Sequence, residues 1–252
     1  MPRKQQLFTY LLCGTLLARL EEEFVRVVRS VDLSVPLDEH TPVYPGDPVP
    51  RIRPASTIAS DGFNLLSVSM GSQTGTHVDA PYHFAEDGAR IDQLDLSLFV
   101  GPGVVVDVTG HRAREPIGWD AVAPYADRLG PGRILLLHTG WSRHYGTARY
   151  YEHPYLEAGA CERLLDLGVR TFLLDAVNID ETPDDSHPGV GFPVHHLIAD
   201  AGGVIGENLR NLGQIDFDPF ISCLPLRLSG ADGAPVRAVA LQLDAGTAPA
   251  AS

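Results

Sequence analysis

Short apolar runs bounded by glycine, proline or a charge recur along the chain. Gly103–Val108 (GVVVDV), Arg133–His138 (RILLLH) and Val169–Asp175 (VRTFLLD) are continuous rather than alternating. A strand that is apolar on both faces is covered on both faces, so these three predict buried strands. Phe63–Met70 (FNLLSVSM), Val204–Leu209 and Val236–Leu243 add strand candidates, and Val31–Leu37 alternates and ends towards proline as a short strand. A helical period enters at Tyr155–Leu167, where Leu156, Ala160, Leu164 and Leu167 share a face and Gly168 ends the run. A second short helix is expected over His195–Ala201. Gln5 to about Arg29 predicts an amphipathic leading helix. Arg3 and Lys4 ahead of the apolar Leu7–Ala18 leave a targeting segment open, but no small-x-small site follows. The apolar stretch also falls short of the ~20 residues that span a bilayer. Thr41–Pro50 (TPVYPGDPVP) and Gly71–His83 read as loops.

Strands and helices mix without strict βαβ alternation. That predicts an α/β fold, one domain with a mixed sheet, over residues 31–246. A helical extension over 1–30 precedes it and a frayed tail over 247–252 follows. The 252 residues carry 19 Lys+Arg against 32 Asp+Glu, a formal charge of −13. Phosphate neutralisation needs clustered cations, so nucleic acid and anionic membrane surfaces are poor partners. Cys13, Cys161 and Cys223 are far apart and form no C-x-x-C pair, which argues against a thiolate zinc site or a disulfide framework. A cytoplasmic protein is expected.

Candidate chemistry gathers in two places. Gly71–Phe84 (GSQTGTHVDAPYHF) packs His77, Asp79 and His83 into seven residues, with Gln73 four residues before His77. If the stretch is extended, the even spacing lets the three project to one side. Two imidazoles around a carboxylate suit Zn²⁺ or Mn²⁺. The second cluster, Asp184–Glu207, holds His187, His195, His196 and Glu207. Glu207 ends an apolar strand, where a carboxylate must be paired, protonated or bound to metal. Pairing with Arg210 is the plainer alternative. Trp141, Tyr145, Tyr150 and Tyr151, around His144 and His153, read as core or pocket wall. Tyr44 and Phe84 read as aromatic lining if they lie near the metal. Cys223 reads as a small buried apolar residue. No G-x-G-x-x-G, P-loop or G-x-S-x-G motif is present.

TGTHVDAPYHF resembles the H-x-G-T-H-x-D-x-P-x-H signature of the metal-dependent cyclase family, which includes bacterial kynurenine formamidases, isatin hydrolases and polyketide cyclases. VDLSVPLDEHTPVYPGDP, LLLHTGW, FLLDAVNID, HHLIADAGGVIGENLRNL and CLPLRLSGADGAPVRAVAL follow in the family's order, so the likeness runs from about Val31 to Leu243. The resemblance implies a swivelling β/β/α-type fold in a homodimer or homotetramer. It also implies one or two divalent metals, Zn or Mn. It makes His77 a ligand of the first metal, Asp79 a carboxylate bridging two, His195 and Glu207 the second-metal His and bridging Glu, and His83 the proton carrier. His196 has the wrong offset. The family's first signature His is Gln73 here, and a neutral amide oxygen is the weaker zinc ligand.

These implications predict a hydrolase of formamide or lactam bonds in small aromatic substrates, similar to an arylformamidase of tryptophan catabolism. Tyr44 and Phe84 would line the substrate pocket. A polyketide cyclase acting on an aromatic intermediate is the first alternative. A non-catalytic binding protein on a decayed enzyme scaffold is the second.

Overall fold

The computed structural model describes residues 23–247. Its strands are β1 (Glu23–Asp32), β2 (Arg51–Ser56), β3 (Leu65–Ser69), β4 (His77–Asp79), β5 (Val100–Asp107), β6 (Pro116–Ile117), β7 (Ile134–His138), β8 (Tyr155–Leu156), β9 (Thr171–Leu174), β10 (Val204–Glu207), β11 (Phe220–Ser222), β12 (Gly233–Pro235) and β13 (Val239–Thr247). Two helices bear on the argument, α1 (Ala158–Asp166) and α2 (Pro193–Asp200).

Nine strands form one mixed sheet in the order β1-β13-β11-β5-β7-β9-β10-β4-β12. Its centre, β5-β7-β9-β10, is parallel. These are the runs without alternation, and burial of β7 and β9 on both faces is the reason. Along each central strand, alternate residues feed two cores. Leu135, Leu137, Phe172, Leu174 and Ile205 join the layer that holds α1 and α2. Leu136, Leu173, Val204 and Val78 join the opposite layer. The expectation of a single-domain α/β fold with a mixed sheet is met.

Several boundaries differ from expectation. The leading helix was to reach Arg29, but Glu23–Asp32 is a strand paired with β13. Val25, Val27, Val28 and Val31 explain this, because β-branched side chains favour a pleated edge over a helix. The domain therefore takes in the end of the expected extension, and the boundary at residue 31 falls inside β1. The rest of that extension, Cys13 and residues 248–252 of the tail lie outside the described residues. Val31–Leu37 is strand only at its start. Within Gly71–His83, a supposed loop, β4 covers His77–Asp79 and a 3₁₀ turn covers Pro81–His83. The helix over Tyr155–Leu167 starts late, at Ala158, because Tyr155 and Leu156 pair with Pro116 and Ile117. Helix α2 begins at Pro193, two residues before His195.

The aromatic patch is core. Trp141 and Tyr150 are fully buried, and the Tyr150 hydroxyl donates to Asn208 Oδ1 at 2.9 Å. His153 is buried between the Pro154 carbonyl (2.9 Å) and the Thr182 hydroxyl (2.8 Å). Burial drives its pKa down to about 4. The unfolded chain then takes up a proton near pH 6.5 that the folded protein refuses until about pH 4. Stability is full above pH 6.5 and falls as pH drops towards 4, by about 3 kcal/mol at most. His153→Gln is expected to flatten that limb of the melting profile. An unchanged slope between pH 6.5 and 4 would reject the assignment. Cys161 and Cys223 are free and buried, and burial pushes both thiols up to about 12, which disfavours the thiolate.

Candidate metal centre and pocket

Register brings the first candidate ligands together. β4 runs antiparallel to β10 with His77 opposite Glu207 and Asp79 opposite Ile205. Val78 faces the other core, so His77 and Asp79 both project towards α2. Helix α2 supplies His195 from its first turn. His77, Asp79, His195 and Glu207 are each only 4–5% exposed.

Both imidazoles are held by Nδ1. His77 Nδ1 donates to the Gly75 carbonyl at 2.8 Å, and Gly75 turns the chain there with φ +71°. His195 Nδ1 donates to Asp180 Oδ2 at 2.7 Å. Asp180 also accepts from the backbone N–H groups of Val194 and His195, so it fixes the start of α2 and its histidine together. Each imidazole therefore turns Nε2 inward. His77 Nε2 lies 3.4 Å from Asp79 Oδ1 and 3.7 Å from Glu207 Oε2. His195 Nε2 lies 3.6 Å from Asp79 Oδ2 and 3.6 Å from Glu207 Oε1. Each carboxylate thus presents one oxygen to each imidazole.

A divalent cation fits this arrangement. Two ligands about 2.1 Å from a tetrahedral ion stand about 3.4 Å apart, which is the spacing seen here. His77, Asp79 and Glu207 each offer a ligand atom within 4.8 Å of one another. Asp79 Oδ1 is buried and accepts no hydrogen bond. Protonation behaviour tells the same story. Burial disfavours both imidazolium ions, yet the facing Asp79 and Glu207 carboxylates raise His77 to about 9, and Asp180 with Asp79 raises His195 to about 10. Burial, then the Asp79 charge, lifts Glu207 to about 7. Asp79 is held well below the carboxylate range, because His195 and His77 outweigh its burial. The cluster calls for positive charge, from protons or from a metal.

The cavity beside these residues is about 210 Å³ and is lined by Gln73, His77, Asp79, His83, His195, Glu207, Tyr44 and Phe84. Phe192 completes an aromatic wall, with its ring 5.2 Å from Phe84 and 6.5 Å from Tyr44. A larger cavity of about 710 Å³ lies elsewhere, around Val35, Leu37 and Arg237, and holds none of these ligands. Other members of the second sequence cluster stay outside. Asp184 binds both His187 and Arg114 in an exposed loop, and His196 is exposed on α2. Glu207 accepts from the Ile179 N–H at 2.9 Å, and no ion pair joins it to Arg210 among the described residues.

Gln73 does not simply replace a histidine. Its Nε2 donates to Asp232 Oδ2 at 2.9 Å, while its Oε1 is buried without a partner. Asp180, Asp232 and Phe192 were missed from sequence. Asp180 stands fifteen residues before the histidine it orients, and no local pattern links the two.

Comparison with known proteins agrees with the fold. The Cyclase family model matches residues 31–181. The kynurenine formamidase of Geobacillus thermodenitrificans is 33% identical over 209 residues, covering 82% of this chain and 95% of that one. Isatin hydrolase A from Ralstonia solanacearum superposes with a TM-score of 0.76 at 25% identity, covering 96% of this chain and 99% of its own. A potential metal-dependent hydrolase with cyclase activity gives 0.70 at 29% identity, covering 84% and 97%. With more than half of its length matched by the family model and its buried His/Asp/Glu cluster on the corresponding fold, the chain belongs to the Cyclase family.

Proposed function

We propose that this chain is a metal-dependent hydrolase of formamide or lactam bonds in small aromatic substrates, an arylformamidase-like enzyme. The observation that carries the reading is the pair of buried carboxylates, each facing two inward Nε2 atoms at the edge of an aromatic-walled cavity. The names of the relatives, kynurenine formamidase and isatin hydrolase, support the substrate class.

His77, Asp79, His195 and Glu207 would hold one or two divalent cations, Zn²⁺ or Mn²⁺, with Gln73 Oε1 available as a further oxygen. A cation bound there polarises a carbonyl and makes water a nucleophile near neutral pH. Tyr44, Phe84 and Phe192 orient an aromatic ring by stacking and edge contacts. His83 lines the same cavity, with Nδ1 held by Asp232 at 3.0 Å. Its Nε2 is free to pass a proton to the departing nitrogen. The small cavity favours a one-ring or fused-ring substrate over a bulky polyketide intermediate.

The test is hydrolysis of an aryl formamide and of an aromatic lactam by the metal-replete protein. Activity should vanish with a chelator and return with Zn²⁺ or Mn²⁺. No hydrolysis of either substrate by protein shown to contain metal would reject the reading.

A cytoplasmic homodimer or homotetramer is part of the same proposal, acting on small molecules rather than nucleic acid or membranes. No helix among the described residues is long and apolar enough to cross a membrane. The β2–β3 hairpin supports self-association. Its Leu65, Leu66 and Val68 are 53–59% exposed, and an isolated two-stranded ribbon is marginal in water. Light scattering should return a multiple of the chain mass. A monomer at micromolar concentration would reject this part.

A further inference from the structure

We infer that Asp232 is a positioning residue that fixes the tautomer and aim of His83, so that Nε2 is the nitrogen presented to substrate. This rests on the proton-carrying role proposed for His83.

Asp232 is held through both its backbone and its carboxylate. Its backbone carbonyl accepts from Ala80 N–H at 2.8 Å, which ties it to the end of β4. The next residue, Gly233, pairs with Asp79 across β4 and β12. Asp232 Oδ1 accepts from the Ser72 hydroxyl at 2.7 Å, and Oδ2 accepts from Gln73 Nε2 at 2.9 Å and from His83 Nδ1 at 3.0 Å. Gly233 keeps the space for this convergence open, since a Cβ there would sit 2.6 Å from Gln73 Nε2.

Distances decide the tautomer. His83 Nδ1 has two polar neighbours, the Asp232 carboxylate at 3.0 Å and Gln73 Nε2 at 3.4 Å. The carboxylate can only accept and the amide nitrogen can only donate. A lone pair on Nδ1 would face an anion at the shorter distance and gain a long, weak bond at the other. A hydrogen on Nδ1 makes the short, charge-assisted bond instead. Gln73 then serves the same oxygen rather than the imidazole, and its amide is turned by Asp232, not by His83. Burial disfavours the His83 cation, but the Asp232 bond outweighs it and raises the pKa. In turn, the His83 bond and those from Ser72 and Gln73 lower Asp232 to about 2, so it is an acceptor throughout the neutral range. The ring is thereby set 4.7 Å from Phe84 and 6.3 Å from His195, over the cavity.

The experiment compares Asp232→Ala and Asp232→Asn with the wild type, each zinc-loaded and with ¹⁵N-labelled histidine. His83→Ala identifies the His83 signals. Loss of the acceptor in Asp232→Ala should release the ring, so that the His83 Nδ1 and Nε2 shifts move towards a tautomer mixture. kcat should fall by about a hundredfold with KM within about twofold, as for other oriented imidazoles that lose their partner. Asp232→Asn keeps a neutral acceptor of the same shape. It should restore the Nδ1–H tautomer with a weaker hydrogen bond, seen as an upfield shift of the attached proton, and leave kcat about tenfold below wild type. A structural clip would give no such rescue and no selective change at His83. Unchanged His83 shifts in Asp232→Ala would overturn the inference. If that variant does not fold, an unmoved Nδ1 proton in Asp232→Asn overturns it instead. Should His83→Ala turn over like the wild type, the role given to His83 under the proposed function fails, while the nitrogen shifts still decide what Asp232 does.

Discussion

Asp79→Asn is expected to leave a folded protein that no longer holds metal and no longer turns over. The substitution keeps shape and removes the charge at the centre of the cluster. Asp79 faces both His77 and His195, one oxygen to each, and Oδ1 has no other partner. Half of that pair becomes an amide NH₂ that cannot ligate. Partners one shell out typically cost ten- to hundredfold in affinity when lost, so a ligand reaching both imidazoles should cost more than about a hundredfold. Thermal melts give a readout independent of catalysis. A metal present at about a thousand times its dissociation constant stabilises the native state by about 4 kcal/mol. For a chain of this size that corresponds to a melting shift on the order of 10 °C. A chelator should therefore lower the wild-type melting temperature by about that much and leave the variant unmoved. Stoichiometric metal in Asp79→Asn by elemental mass spectrometry would remove Asp79 from the centre.

His83→Ala should show the opposite split, with metal retained and turnover lost. His83 lies on the 3₁₀ turn after β4, is bonded through Nδ1 to Asp232, and among the described residues makes its ion pair with Asp232 and not with Asp79 or Glu207. It can move a proton without holding the cation. A positioned general acid contributes about 10²–10⁴-fold, and kcat should fall by that amount while metal content and the chelator-induced melting shift stay at wild-type values. Wild-type turnover in this variant would end the proton-carrier assignment. Loss of metal alongside turnover would make His83 a ligand. The two variants together thus separate the residues that hold charge from the one that moves a proton.

The nature of the elements explains which parts could be read in advance. The central strands were legible because burial on both faces leaves an uninterrupted apolar run, as in β7 and β9. Helix α1 was legible because one face alone is buried, through Ala160, Cys161 and Leu164. β4 was not, because a three-residue strand of His, Val and Asp carries no hydrophobic period. β1 was misread as helix because a run of valines among charges fits either period until a partner strand is known.

The candidate site divides along the same line. The amino-acid order by itself determined the candidate residue types, since His77, Asp79 and His83 sit within seven residues and Glu207 ends an apolar strand. It also determined family membership, through a motif long enough to be specific. Only the tertiary structure decided how these groups meet. Pairing of β4 with β10 sets His77 against Glu207. Asp180 turns His195 inward from fifteen residues away, and Asp232 reaches His83 from 149 residues away. Orientation of an imidazole depends on what lies behind it, and what lies behind it comes from a distant part of the chain. Such long-range hydrogen bonds leave no local trace in a sequence, whereas burial and spacing do.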